Sequence, residues 1–175
     1  MRNAIIQTFT GKMFDLLNPT PEMVDIEDIA HSLAGTYRYN NHTRVPYSVA
    51  QHSLFVMKLC QPKDYLCALL HDSPEAYIGD VVGPLKAQLP YLRIIEQTIW
   101  AVVCQKFAIP VHIPESVLLA DKVALATEKR DLMAHDLHWE FLTGVEPSSI
   151  QINPWPFEEV KRRFLYTVKV LMERR

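Results

Sequence analysis

Glycine is scarce in this chain of 175 residues, with five in all, at Gly11, Gly35, Gly79, Gly83 and Gly144. Neither a GxxxxGKS/T phosphate loop nor a GxGxxG dinucleotide turn can be written with that set, so a nucleotide phosphate would be held by some other device. Cysteine is equally sparse. Cys60, Cys67 and Cys104 are odd in number and form no CxxC, which excludes a disulfide framework and a cysteine-rich zinc site and predicts buried, reduced thiols. Apolar runs such as 65–70 fall far short of the roughly 20 residues that span a bilayer, and the N-terminus lacks a long apolar signal core. A cytoplasmic protein without a membrane partner is expected. Excess charge is also missing: 18 Lys+Arg stand against 20 Asp+Glu, for a net charge of -2, which argues against binding a nucleic-acid polymer.

What is present is an ordinary globular composition, 49% apolar and 22% charged, in a length that one domain over 1–175 accounts for. Residues 4–17 alternate loosely around Gly11-Lys12 and predict a short hairpin. The rest reads as helix. Asp25 offers an N-cap for a helix over 26–35, with Ile26, Ile29, Ala30 and Leu33 on one face. The polar stretch 37–46 lacks a helical period and reads as a loop. Ser48 caps a second helix with Val49, Ser53, Val56 and Cys60 on one stripe and His52 beside it. Further helices are expected over about 63–71, 85–89, 93–107, 115–139 and 157–172, the last with Val160, Phe164, Val168 and Leu171 on its apolar face. The fold class that follows is all-α, a helical bundle with a short N-terminal β-hairpin.

Four side chains stand out on these elements: His52, the adjacent His71 and Asp72, and Asp121. Imidazole plus carboxylate is the donor set of borderline divalent ions such as Zn, Mn, Fe, Co or Ni, and suits Ca or Mg less well. Singly, His52 reads as a core histidine. The carboxylates are harder to explain that way, because Asp72 follows Leu69-Leu70-His71 and Asp121 follows Leu118-Leu119-Ala120, and a carboxylate in an apolar helix must be paired, capped or metal-bound to offset its desolvation. Glu75 lies three residues past Asp72 and four past His71, the same face of a helix, which suits a general acid or base. Asp80, in the Gly79-Asp80 turn, reads equally as a turn cap or as an acid near a leaving group.

The ordered set His52, His71-Asp72 with Ser73-Pro74-Glu75, Gly79-Asp80 and Ala120-Asp121 resembles the H…HD…D signature of the HD-domain metal-dependent phosphohydrolase superfamily, in particular the small bacterial and phage branch similar to 5′-deoxynucleotidases. The match spans about 26–131. It implies an HD-domain helical bundle with one divalent transition metal on His52, His71, Asp72 and Asp121, and Glu75 as catalytic acid or base. It also implies that Arg38 holds the substrate phosphate, a role its planar guanidinium suits where no glycine loop exists. Lys86 and the loop residue His42 are further candidates for substrate contact. Deoxynucleotidases of this kind tend to follow the arginine with tryptophan, whereas Tyr39 stands here.

The function expected is release of phosphate from a small nucleotide, a deoxynucleoside monophosphate first, with copies of the same chain as the macromolecular partner. The alternatives are a triphosphohydrolase acting on deoxynucleoside triphosphates, a nucleotide-binding regulatory protein with a structural metal, and a phosphatase or phosphodiesterase for another phosphate ester. His135 and His138, three apart on the helix expected over 115–139, are read as surface residues, His31 as a core histidine and His112 as structural. Trp100, Trp139 and Trp155 are read as packing residues.

Overall fold

Alternation around Gly11 produces the expected hairpin. In the computed structural model, which describes residues 4–175, β1 (Ile5–Gln7) pairs antiparallel with β2 (Met13–Asp15), placing Ile6 opposite Phe14. Phe14 is fully buried and stacks on Tyr77 at 3.8 Å between ring centroids. The Thr10 N–H and hydroxyl donate to Asp28 at 2.7 and 2.9 Å, which docks the hairpin on the first helix.

The remaining elements are helical. In chain order they are α1 (Ile26–Gly35), a 3-10 turn (Arg38–Asn41), α2 (Val49–Leu59), a 3-10 turn (Pro62–Asp64), α3 (Tyr65–Leu70), α4 (Glu75–Ile78), α5 (Gly83–Lys86), α6 (Pro90–Phe107), α7 (Glu115–Leu132), a 3-10 turn (Glu140–Leu142) and α8 (Phe157–Glu173). The chain is thus mostly helical with one small sheet. None of the helices among the described residues is long and apolar enough to cross a membrane.

Both expected caps form. The Asp25 carboxylate accepts from the Glu27 N–H and the Ser48 hydroxyl oxygen accepts from the Gln51 N–H, each satisfying an orphan donor of a first turn. Helices α1 and α8 pack on each other, and α2 lies against α1, α3, α7 and α8, so it runs through the centre. One buried cluster gathers Ile29, Leu33, Leu69, Ile99, Phe164 and their neighbours; a second, around Tyr47, Val56, Val117 and Leu132, joins α2 to α7. The three cysteines are free and buried, as expected, and burial lifts the Cys104 thiol to about 12.

Among the boundaries that differ from the sequence reading, two matter for the site. Helix α3 stops at Leu70, so His71 and Asp72 lie in a turn, closed by Ser73 N–H donating to Leu70 C=O at 2.9 Å and Glu75 N–H to Asp72 C=O at 3.0 Å. Pro74 has no N–H with which to continue the helix. Helix α7 stops at Leu132, seven residues before the expected end, because Met133 turns extended and the Leu132 carbonyl instead accepts from the Arg44 N–H at 2.8 Å. His135 and His138 are therefore off the helix and exposed.

Gly79 ends α4 with φ 79° and ψ 160°, a region essentially closed to residues with a Cβ, and this turn aims the chain into Asp80. No atom lies within 4 Å of where a Cβ would stand. Gly79→Ala is therefore expected to cost about 1–3 kcal/mol through backbone conformation alone; a urea denaturation midpoint equal to the wild type would contradict this.

Candidate functional site

The centre of the site is His52, projected from the middle of α2 and only 1% exposed. Its Nδ1 lies 2.6 Å from Glu128 Oε1. Against a carboxylate that nitrogen is the donor, which leaves Nε2 as the free position. Nε2 stands 3.2 Å from Asp121 Oδ1 and 3.4 Å from Asp72 Oδ2, yet neither approach has hydrogen-bond geometry, and Nε2 is buried without a partner among the described residues. His71 repeats the arrangement from the turn after α3. Its Nδ1–H donates to the Ala68 carbonyl at 2.7 Å, and its Nε2 lies 3.3 Å from Asp72 Oδ1.

Two imidazoles whose Nδ1 atoms are anchored and whose Nε2 atoms converge on one carboxylate are set up as ligands. The outer hydrogen bond fixes ring orientation and tautomer, as at histidine metal sites generally. Among the described residues, donor atoms of His52, His71 and Asp72 all lie within 4.8 Å of one another and could hold a metal ion. Ligands held about 2.1 Å from a tetrahedral ion stand roughly 3.4 Å apart, close to the separations here. The partnerless His52 Nε2 is the observation that such an ion explains. Asp121, from the second turn of α7, touches His52 but falls outside the trio's mutual 4.8 Å.

Charge supports the same conclusion. Asp72, Glu75, Asp80, Asp121 and Glu128 crowd around two fixed cations, Arg38 and Lys86. Burial, with the Asp72 and Asp80 carboxylates adding to it, holds the Glu75 carboxyl well above the usual range. Burial chiefly raises Asp80 as well. For Asp121 burial is outweighed by the adjacent His52 imidazole, which lowers it. Burial and the Arg38 guanidinium oppose protonation of His52, but Glu128 and Asp121 outweigh them and hold it up at about 10, so that without an ion a proton takes the Nε2 position an ion would occupy. An uncompensated carboxylate cluster of this kind is a place for a cation.

Most of these groups line a cavity of about 750 Å³. Arg38, Asp72, Glu75, Asp80, Lys86 and Asp121 all reach its wall. Glu75 opens α4, where its Oε1 accepts from Lys86 Nζ at 3.3 Å while its Oε2 is buried without a partner. Lys86 is also paired with Glu96 at 2.7 Å. Arg38 is buried, with Nε donating to Glu128 at 3.1 Å and a terminal nitrogen 3.5 Å from Asp72. His42, by contrast, is exposed at the end of the 3-10 turn and does not line the cavity. The chain reverses just before it: Tyr39, Asn40 and Asn41 all have positive φ, at 57°, 50° and 61°. Such strain persists where surrounding structure over-determines it. Here Arg38 N–H donates to Tyr47 C=O at 2.9 Å, and the Tyr39 hydroxyl donates to Glu128 Oε2 at 2.5 Å.

Three contributors escaped the sequence reading. Glu128 is fully buried and holds His52, Arg38 and Tyr39 at once. A signal existed, since Glu128 lies seven residues past Asp121, two turns along the same face of α7, after the small and apolar Ala124-Leu125-Ala126-Thr127. Trp139 and Phe141 also line the cavity. Nothing in the sequence pointed to them, because the helix expected through 139 ends at Leu132.

No protein-family model matches the chain. It is 37% identical over 154 residues to the uncharacterized protein YfdR of Escherichia coli, covering 87% of this chain and 86% of that one. It is 38% identical over 135 residues to an uncharacterized protein of Rhodobacter capsulatus, covering 71% and 68%. At that identity over most of both sequences, the chain belongs to the family of the Escherichia coli protein YfdR.

Proposed function

We propose that this protein is a metal-dependent phosphohydrolase of the HD-domain superfamily acting on small nucleotides, a 5′-deoxynucleotidase that releases phosphate from deoxynucleoside monophosphates. The observation that carries the reading is the convergence of the His52, His71 and Asp72 donors beside a cavity whose wall includes Asp72 and Glu75, the latter with a buried, unpartnered Oε2. A purely structural ion needs a closed coordination sphere and has no use for a buried carboxyl facing an open cavity.

A divalent ion on His52, His71 and Asp72, with Asp121 alongside, supplies Lewis-acid polarisation of the phosphoryl oxygens and acidifies water at the site. The chain's own groups do the rest. Glu75 Oε2, buried and without a partner, takes the proton from the attacking water. Arg38, fixed through Nε by Glu128, neutralises charge on the phosphoryl group with its terminal nitrogens. Asp80 stands at the cavity wall as a proton donor toward the departing oxygen. Lys86 is already paired with Glu96 and Glu75, so little free cationic charge is left for a longer phosphate chain. This favours one phosphoryl group over a triphosphate.

Metal analysis followed by turnover of a nucleotide panel with Mn, Co and Zn tests the proposal. Inorganic phosphate released from deoxynucleoside monophosphates, and lost after chelation, is the expected result. Release of triphosphate alone would replace the monophosphatase by a triphosphohydrolase. No hydrolysis of any phosphate ester by metal-replete protein would leave a structural metal instead.

A further inference from the structure

The lining of the cavity is of two kinds. Its charged groups are accounted for by metal and phosphate, but it also includes the rings of Tyr39, Trp139 and Phe141 with the apolar Val82, Pro84 and Leu125. Trp139 and Phe141 lie nearly parallel, 25° apart with ring centroids separated by 5.6 Å, and Tyr39 tilts against Trp139 at 5.8 Å. Phe141 is 65% exposed, so its ring is open to a ligand. The segment carrying it leaves α7 early, and the 3-10 turn over Glu140–Leu142 brings it back to the cavity. Tyr39 reaches the same wall through a left-handed backbone that few tyrosines adopt. Two unrelated segments, one of them strained, thus bring adjoining aromatic rings to the wall of a cavity that binds phosphate on the reading above.

We propose that Trp139, with Phe141 and Tyr39, is a stacking shelf for the nucleobase, and that it selects purine over pyrimidine nucleotides by ring area. The inference rests on the nucleotidase reading and adds how the base is held. Among the described residues no Asn, Gln, Ser, Thr or His side chain lines the cavity, and the Tyr39 hydroxyl is taken up by Glu128, so few neutral side-chain groups are left to read a base edge. Stacking is what remains, and every base has a π face. A purine covers more of an indole than a pyrimidine does. Adenine and guanine are therefore treated nearly alike, and both are preferred to cytosine and thymine.

The test compares dAMP, dGMP, dCMP and dTMP with 2-deoxyribose 5-phosphate, which has the phosphate and sugar but no base. In the Trp139→Ala variant the ratio of kcat/KM for dAMP to that for 2-deoxyribose 5-phosphate is expected to fall about tenfold or more, mainly through KM. Trp139→Phe restores most of it. The exposed Phe141→Ala provides a variant whose folding is not at issue, with the same direction and a smaller fall. An equal loss on dAMP and on 2-deoxyribose 5-phosphate would show a merely structural Trp139 and overturn the shelf, as would an unchanged ratio. Should the wild type hydrolyse none of these esters, the nucleotidase reading fails separately. Calorimetric titration of metal-loaded protein with dAMP then decides the shelf: weaker binding by Trp139→Ala supports it, and equal or absent binding in both proteins rejects it.

Discussion

Glu75→Gln is expected to lower kcat by about 10²- to 10⁴-fold, the range in which a positioned acid or base contributes, while metal content and KM stay near wild type. Glutamine keeps the volume and an oxygen for Lys86, now 3.3 Å from Glu75 Oε1, but no longer accepts a proton. Glu75 is not among the three donors that lie within 4.8 Å of one another, so the ion has no reason to leave. Asp72→Ala is the contrasting variant. Asp72 lies within 3.4 Å of both His52 and His71, and its loss is expected to remove metal and turnover together. Metal content by mass spectrometry and phosphate release, measured on the same preparations, separate the two cases. A Glu75→Gln protein that still turns over at more than a tenth of the wild-type rate would end the assignment of Glu75 as acid or base.

The sequence already held the helical class, the hairpin, both side-chain caps and the core stripes, because each rests on local chemistry repeated along one element. The stripe Val160, Phe164 and Val168 on α8 and the caps at Asp25 and Ser48 are such cases. The candidate metal donors stood out for a different reason, since carboxylates set among leucines announce an unusual environment. Where sequence reasoning fell short, the information was in the path of the backbone. His71 and Asp72 share one target because α3 stops one residue earlier, and no periodicity argument resolves a single residue at a helix end. The exposure of His42 follows from three consecutive positive φ values, which composition does not reveal. Trp139 enters the cavity because Leu132 gives its carbonyl to Arg44, a partner 88 positions earlier in the chain. Leu118 and Leu119, on the helix expected to bury its leucines, are 48% and 56% exposed, while Ala120 beside them is buried.

The joint between the two halves of the site is Glu128, and its replacement is expected to give the largest change in stability. Its two oxygens serve different elements: Oε1 accepts from His52 on α2, and Oε2 accepts from Arg38 and from the Tyr39 hydroxyl in the strained turn. Burial alone would raise its pKa, but Arg38 and His52 outweigh that and hold it lowered, so it is charged when they are in place. Glu128→Ala leaves the Arg38 guanidinium buried beside an empty space, and losing one partner of a buried pair costs about 3–5 kcal/mol. Glu128→Gln is the more instructive change. Its amide oxygen can accept from only one side of the joint, and its NH₂ then faces a donor, whether His52 Nδ1–H or Arg38 Nε–H. If the oxygen keeps His52, the arginine and tyrosine are released; if it keeps Arg38, the imidazole loses the contact that aims Nε2 at Asp72. Loss of such an outer contact weakens metal binding by about 10- to 100-fold. Urea denaturation of chelator-treated protein measures the first effect and calorimetric zinc or manganese titration the second. A Glu128→Gln protein within about 1 kcal/mol of wild-type stability and with unchanged metal affinity would show that His52 and Arg38 are oriented by packing alone, with no carboxylate needed between them.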